Sequence, residues 1–281
     1  MSATEVKQKV ITYKGKVVFI KISMPYFDRS QKHYVEDEAC FMFVNRGEFS
    51  IRSQEDYMDF DKSTAVISKC LNYFYEINDD QRGCDDYLES TGIFLYPDML
   101  QEIFEFDFSN STYTLDYNIK KIQVDRLLEN FKESINILLD TPELADEYMV
   151  KTKLKEFVLL LTKSQGAPSQ MDYLAALFKP KEVSFKNTIQ TNLYANLSLD
   201  ELAALCHMSL SSFKRKFKTV FDDSPKRYIV KKKVEKAALL LKTDNQRVSD
   251  IAFDVGFDSL ATFTRNFTNI YGVAPSVYRL S

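Results

Sequence analysis

The amino-acid sequence predicts an α+β protein in two halves. A β-rich, cupin-like or jelly-roll N-terminal domain ends in a helical pair, and an all-α C-terminal domain follows. Three observations carry this. Short β-branched and aromatic runs with turn signals fill the first hundred residues. Two apolar stripes with helical spacing come next. Near the C-terminus the pattern LAALCHMSLSSFKRKF, from Leu202, returns about 50 residues later as IAFDVGFDSLATFTRNF, from Ile251.

In order along the chain, VVFIKI (17–22) is a strand by its branched residues. CFMFV (40–44), NRG and EFSIR (48–52) read as a hairpin with Gly47 supplying the turn. AVISKC (65–70), YFYEI (73–77) and YLESTGIFLY (87–96) are further strands, and their spacing suggests a small sandwich or barrel. Pro97 suits the first position of a short helix, PDMLQEIFEF. Over 118–164, Val124, Leu128, Phe131, Ile135 and Leu138 step by four and three, as do Val150, Leu154, Phe157 and Leu161. TPEL (141–144) separates them, so an antiparallel helix pair is expected. These stripes either pack within the domain or form a dimer interface. SQGAPSQ (164–170) has the composition of a linker, and a short helix, MDYLAALF, follows it.

The repeat is built for two helix-turn-helix units. Ser198 and Glu201 form a capping-box signature ahead of Leu202, Ala203 and Cys206. His207–Ser209 breaks the helix, and Leu210, Phe213 and Phe217 give the next one its inner face. Leu202-Ala203 answers Ile251-Ala252 at an offset of 49, whereas Phe213 and Phe217 answer Phe263 and Phe267 at 50. The second turn is therefore one residue longer, and Gly256 can adopt the positive φ it needs. Phe221, Pro225 and Tyr228 answer Tyr271, Pro275 and Tyr278. Between the copies, Val230, Val234, Ala237, Ala238 and Leu241 mark one face of a lysine-rich helix that ties the units together. Successive major grooves on one side of B-DNA lie about 34 Å apart, so such a pair can enter adjacent grooves.

Charge and composition narrow the function. From Lys181 onward 16 Lys+Arg stand against 10 Asp+Glu, while the rest of the chain holds 21 against 30. A polyanion would meet the basic end of this otherwise acidic chain. The N-terminal residues lack the apolar core of a signal peptide, and no apolar run spans a bilayer, so a cytoplasmic protein without membrane contact is expected. Cys40, Cys70, Cys84 and Cys206 form no CxxC pair and read as reduced, partly buried thiols. With only His33 and His207, a histidine metal centre lacks ligands, and no cofactor is expected. The alternative function, a cupin-like metalloenzyme with a helical accessory domain, meets that same shortage.

The segment from about Val183 to Ser281 resembles the DNA-binding domain of AraC/XylS-type bacterial transcription regulators. HMSLSSFKRKFKTVFDDSPKRYI, the AALLL of the connecting helix and IAFDVGFDSLATFTRNFTNIYGVAPSVYR carry the resemblance. It implies a regulatory and possible dimerisation domain over 1–164, a linker over 165–182 and a DNA-binding domain over 183–281, with no enzyme activity. It also implies that Ser211, Lys214 and Arg215 in the first unit, and Thr262, Thr264 and Arg265 in the second, read base edges in double-stranded DNA. Arg215 has the shape for bidentate bonding to guanine O6/N7. Leu260 and Ala261 stand where polar residues are expected and suit a thymine methyl instead. Ser209, Lys218, Lys231, Ser259 and Arg279 are the expected phosphate contacts, with backbone amides at helix starts. Arg247 replaces the capping Ser198 of the first copy. Expected partners are RNA polymerase, a second copy of the chain, and a small-molecule effector or regulatory protein acting on the N-terminal domain. Tyr26, Phe27, Tyr73 and Phe74 line an effector pocket or belong to the core.

Overall fold

A computed structural model describes residues 6–280 apart from 33–34, 36, 70, 78–86, 106–110 and 166–167. The chain divides into two compact units, Met1–Glu182 and Val183–Ser281.

The first unit contains ten described strands: β1 (Lys7–Tyr13), β2 (Lys16–Pro25), β3 (Arg29–Lys32), β4 (Ala39–Arg46), β5 (Phe49–Arg52), β6 (Tyr57–Phe60), β7 (Thr64–Ser68), β8 (Tyr73–Glu76), β9 (Tyr87–Leu95) and β10 (Ile119–Gln123). They form a six-stranded sheet, β1-β2-β9-β4-β7-β10, and a four-stranded sheet, β3-β8-β5-β6. All recorded pairings are antiparallel; Phe41 on β4, for example, faces Ile67 on β7 and Ile93 on β9. Four helices complete this unit: α1 (Pro97–Phe104), α2 (Arg126–Asp140), α3 (Glu147–Gln165) and α4 (Gln170–Leu177).

The larger sheet is covered on both faces. Phe41, Phe43, Ala65 and Ile67 join a core with the helices, whereas Val44 and Val66 join the core between the sheets. That is why β4 and β7 read as unbroken apolar runs rather than alternating ones. Phe41 meets Phe157 of α3 edge-on at 5.1 Å, and Phe157 lies 5.4 Å from Phe131 of α2. The buried stripes of α2 and α3 thus pack on the sheet, and Pro142–Leu144 is a 3-10 turn between them. Tyr73 and Phe74 are core residues, and Tyr26 and Phe27 pack against the inter-sheet cluster.

Two expectations need correction. Gly47 does have positive φ (+81°), but β4 and β5 belong to different sheets and do not form a hairpin. The register shift of β4 between Val44 and Arg46, followed by this glycine, carries the chain from one sheet to the other. Residues 119–123 are strand rather than helix; Val124 therefore lies before α2, whose N-terminus is capped by Asp125 accepting from the Leu128 N–H. In the segment read as a linker, α4 buries Tyr173–Leu177 in the core of the first unit. His33, Cys70 and Cys84 lie outside the described residues; Cys40 and Cys206 are free thiols. No helix among the described residues is long and apolar enough to cross a membrane.

Candidate nucleic-acid interface

The second unit is all helical: α5 (Phe185–Thr191), α6 (Leu199–Leu205), α7 (Leu210–Phe221), α8 (Pro225–Thr243), α9 (Val248–Asp254), α10 (Leu260–Tyr271) and α11 (Pro275–Leu280). It holds two small cores. Phe185, Ile189, Leu202, Phe213 and Phe217 belong to the first, and Ile251, Ala252, Val255, Phe263 and Phe267 to the second.

The repeat in sequence is a repeat in packing. Phe217, Phe221 and Tyr228 form an aromatic triad with centroids 4.5 to 5.6 Å apart. Phe267, Tyr271 and Tyr278 form the matching triad at 4.8 to 5.3 Å. Pro225 and Pro275 open the helices that deliver Tyr228 and Tyr278. Phe213, Phe217, Phe263 and Phe267 are buried core, so they are not platforms for base stacking.

Unbroken over 19 residues, α8 is roughly 28 Å long. It serves both cores: Tyr228 and Ile229 pack on the first, while Val230, Val234, Ala237, Ala238 and Leu241 serve the second.

Each helix-turn-helix break is built locally. His207 (φ +52°) and Gly256 (φ +85°) occupy the left-handed position in corresponding turns. Four residues separate α6 from α7, and five separate α9 from α10, as the changed offset predicts. Ser198 and Glu201 form the full capping box, with Ser198 Oγ accepting from the Glu201 N–H and Glu201 accepting from the Ser198 N–H at 2.7 Å. Arg247, its counterpart, makes no side-chain cap bond, yet α9 still begins at Val248.

The expected DNA-contact residues fall into distinct settings. On α7, Ser211, Lys214, Arg215 and Lys218 are exposed. Among the described residues Lys214 and Arg215 make no ion pair, so their charges are available to an anionic or hydrogen-bonding partner. Ser209 Oγ caps α7 by accepting from the Ser212 N–H, and Ser259 Oγ caps α10 by accepting from the Thr262 N–H. Both serines thus stand at helix N-termini, where amides favour phosphate. On α10, Arg265 is exposed, while Thr262 and Thr264 are half-buried. Thr262 Oγ1 accepts from Ser259 Oγ at 3.0 Å, which ties it to the cap. Leu260 and Ala261 are exposed beside them.

Lys231 is exposed and lines a groove of roughly 560 Å³ with Ser224, Lys226, Arg227, Val230, Asn266 and Ile270. Lys226 and Arg227 add two cations, the latter 3.6 Å from Asp223; they follow Pro225 in the first copy alone, so nothing in the repeat marks them. Arg279 is placed differently from the other cations: its Nε and Nη2 are enclosed without a hydrogen-bond partner. Burial pushes the Cys206 thiol up to about 12 and lowers the pKa of His207.

Two helix-turn-helix units on one rigid helix, with unpaired cations on exposed helix faces, define a DNA-binding protein of the double helix-turn-helix class. A family model described as a helix-turn-helix domain matches residues 202–281, and one described as the ExsA N-terminal regulatory domain matches residues 39–173. The HTH-type transcriptional activator AarP of Providencia stuartii is 36% identical over 93 residues, covering 33% of this chain and 69% of that protein. The virulence regulon transcriptional activator VirF of Yersinia enterocolitica is 29% identical over 257 residues, covering 91% of this chain and 85% of that protein. The MmsAB operon regulatory protein of Pseudomonas aeruginosa is 33% identical over 91 residues, 32% of this chain; the match spans 30% of that relative's length. The chain belongs to the AraC/XylS family of helix-turn-helix transcription regulators. Membership in a family of regulators sets aside the metalloenzyme alternative.

Proposed function

We propose that the chain binds DNA sequence-specifically and regulates transcription, with α7 and α10 entering adjacent major grooves of one duplex. The unbroken α8, shared by both cores, carries this reading. Ser211, Lys214 and Arg215 read bases from α7, and Thr262, Thr264 and Arg265 do so from α10. Ser209, Lys218, Lys231, Ser259 and Arg279 hold phosphates. The exposed cations of α7 and the two capped helix starts support these roles. The enclosure of two Arg279 nitrogens and the capping bond of Thr262 make those two the weakest members of the set.

Control enters through the first unit, from a regulatory protein or a small effector. The core positions of Tyr73 and Phe74 favour the protein. The Tyr73 hydroxyl already meets Tyr75 at 3.1 Å and Ser68 at 3.3 Å, and Phe74 is buried, so neither lines an open pocket. Leu127, Ile137, Tyr148 and Leu159 are exposed on α2 and α3 and support homodimerisation through that surface. Contact with RNA polymerase is the remaining part of the proposal, in keeping with the activator names of AarP and VirF.

Selection of bound sites from random DNA tests the central claim. The expected motif has two blocks with centres one helical turn apart, about 10–10.5 base pairs. A single short block, or no enrichment, contradicts it.

A further inference from the structure

An α-helical rod fixes the distance between two units but does not by itself stop either from rolling about its axis. The all-helical half of the chain, Val183–Ser281, contains an additional tie between the two, away from that axis. Lys233 of α8 is 7% exposed, and its Nζ donates to the Gly256 carbonyl at 2.6 Å and to the Ala195 carbonyl at 3.4 Å. Ala195 lies between α5 and α6 of the first helix-turn-helix unit; Gly256 lies in the turn before α10 of the second. One ammonium therefore joins backbone from both.

The surrounding contacts join the same two segments. Asn196 Nδ2 donates to Asp258 Oδ1. Lys236 Nζ lies 3.9 Å from the centre of the Tyr194 ring, which holds residues 194–196 against α8. Gly256 is what lets the segments meet: a Cβ there would lie 2.2 Å from the Tyr194 carbonyl oxygen and 2.9 Å from Lys233 Nζ. The glycine thus serves a close approach as well as the positive φ of its turn.

Burying an ammonium is costly unless hydrogen bonds replace its water, and an apolar side chain would fill the same space more cheaply. Burial lowers the Lys233 pKa, with Asp258 partly opposing this. The compensating gain is directional, since carbonyls from two units must both point at one nitrogen.

We infer that Lys233, with Gly256 and the Asn196–Asp258 bond, is a clasp that sets the rotational phase of α10 relative to α7 and so determines which half-site spacing the protein accepts. Lys233 is a positioning residue and touches no base. This rests on the proposed binding of two adjacent grooves, and the test separates the two claims.

Full-length wild type, Lys233→Met and Lys233→Arg are titrated with the selected DNA site and with the same site lengthened by two base pairs between its halves. Insertion rotates one half-site out of phase and should weaken wild type by about 100-fold, the loss of one unit's specific contacts. The ratio should fall to about tenfold or less in Lys233→Met, because a loosened second unit follows its displaced half-site, and should stay near wild type in Lys233→Arg. An unchanged ratio in folded Lys233→Met overturns the clasp. If that variant does not fold, the double variant Asn196→Ala, Asp258→Ala takes its place, since both residues are exposed; an unchanged ratio there overturns the clasp equally. A second readout uses no DNA: the distance distribution between spin labels carried by non-natural residues at Lys218 and Asn269. It should be narrow in wild type and broad in Lys233→Met or its substitute; equal widths overturn the clasp. Failure of wild type to bind any selected DNA would sink the groove reading instead, leaving this distance measurement to decide the clasp.

Discussion

Among single residues, Arg215 and Lys69 show two opposite uses of charge. Arg215 stands exposed and without an ion pair on α7. Changing it to Ala should cost about 1–3 kcal/mol on the selected site and relax preference at one base pair; equal affinity in a binding titration would mean that α7 is oriented otherwise. Lys69, by contrast, is 2% exposed, and its Nζ donates to the carbonyls of Lys179 at 3.0 Å and Leu115 at 3.4 Å. Burial lowers its pKa to about 8 from an ordinary 10.5. Between those values the unfolded chain binds more protons than the folded one, so this residue makes stability rise with pH across that window and fall again as pH drops to 8. Buried Tyr73 and Tyr173 and half-buried Tyr75 act in the opposite sense: desolvation raises their pKa values, so their contribution is lost as pH climbs past 10. Comparing wild type with Lys69→Met removes the tyrosine contribution. Urea unfolding at pH 7 and pH 9 should show wild type gaining about 1 kcal/mol on the variant; parallel stabilities at the two values would refute a depressed pKa. Neither Lys69 nor Lys233 stands out in the sequence, because a buried lysine is spelled like a solvated one. Helical spacing places Arg215 opposite Phe213 and Phe217, and the family resemblance gives it its base-reading role.

Among elements, the paired helices α6 and α9 form a built-in comparison. They share length and place in the repeat but differ at the cap: Ser198 closes a capping box, and Arg247 makes no side-chain bond. Ser198→Ala should destabilise the protein by about 1 kcal/mol, and Arg247→Ser should stabilise it by a similar amount, read from urea midpoints at constant slope. A neutral Arg247→Ser would show that the α9 N-terminus is satisfied some other way. Helices were the more legible elements: the stripes on α2, α3, α7 and α10 are local in sequence, and a period near 3.6 is visible within a dozen residues. Strands were legible singly, not in their pairing. The expected β4–β5 hairpin assigned neighbours in sequence to each other, whereas β4 pairs with β7 and β9. β10 was hidden because Ile119 and Ile122 are three apart and merge with the helical spacing that the sequence shows from Val124.

Taken whole, the molecule separates its charges between its two units. The first unit belongs to the acidic part of the chain, and the second carries the excess of Lys and Arg that the sequence places from Lys181 onward. Binding of the full chain to its selected site should therefore weaken steeply with salt. Phosphate contacts by Lys218, Lys231 and Arg279 would give a loss of about 40-fold between 50 and 200 mM; a flat response in an anisotropy titration would show that the basic surface is not the contact face. The sequence by itself determined the division into a β-rich half and a doubled helical half, the two helix-turn-helix units, the longer second turn and the family. Each of these is written in spacings of a few residues or in the comparison of one copy with the other. Only the tertiary structure decided the strand order, the assignment of α4 to the core of the first unit, and the meeting of Lys233, Ala195 and Gly256. Those depend on backbone groups distant in sequence coming within hydrogen-bonding reach, and carbonyl oxygens are common to all residues, so no side-chain pattern records which of them a lysine will find.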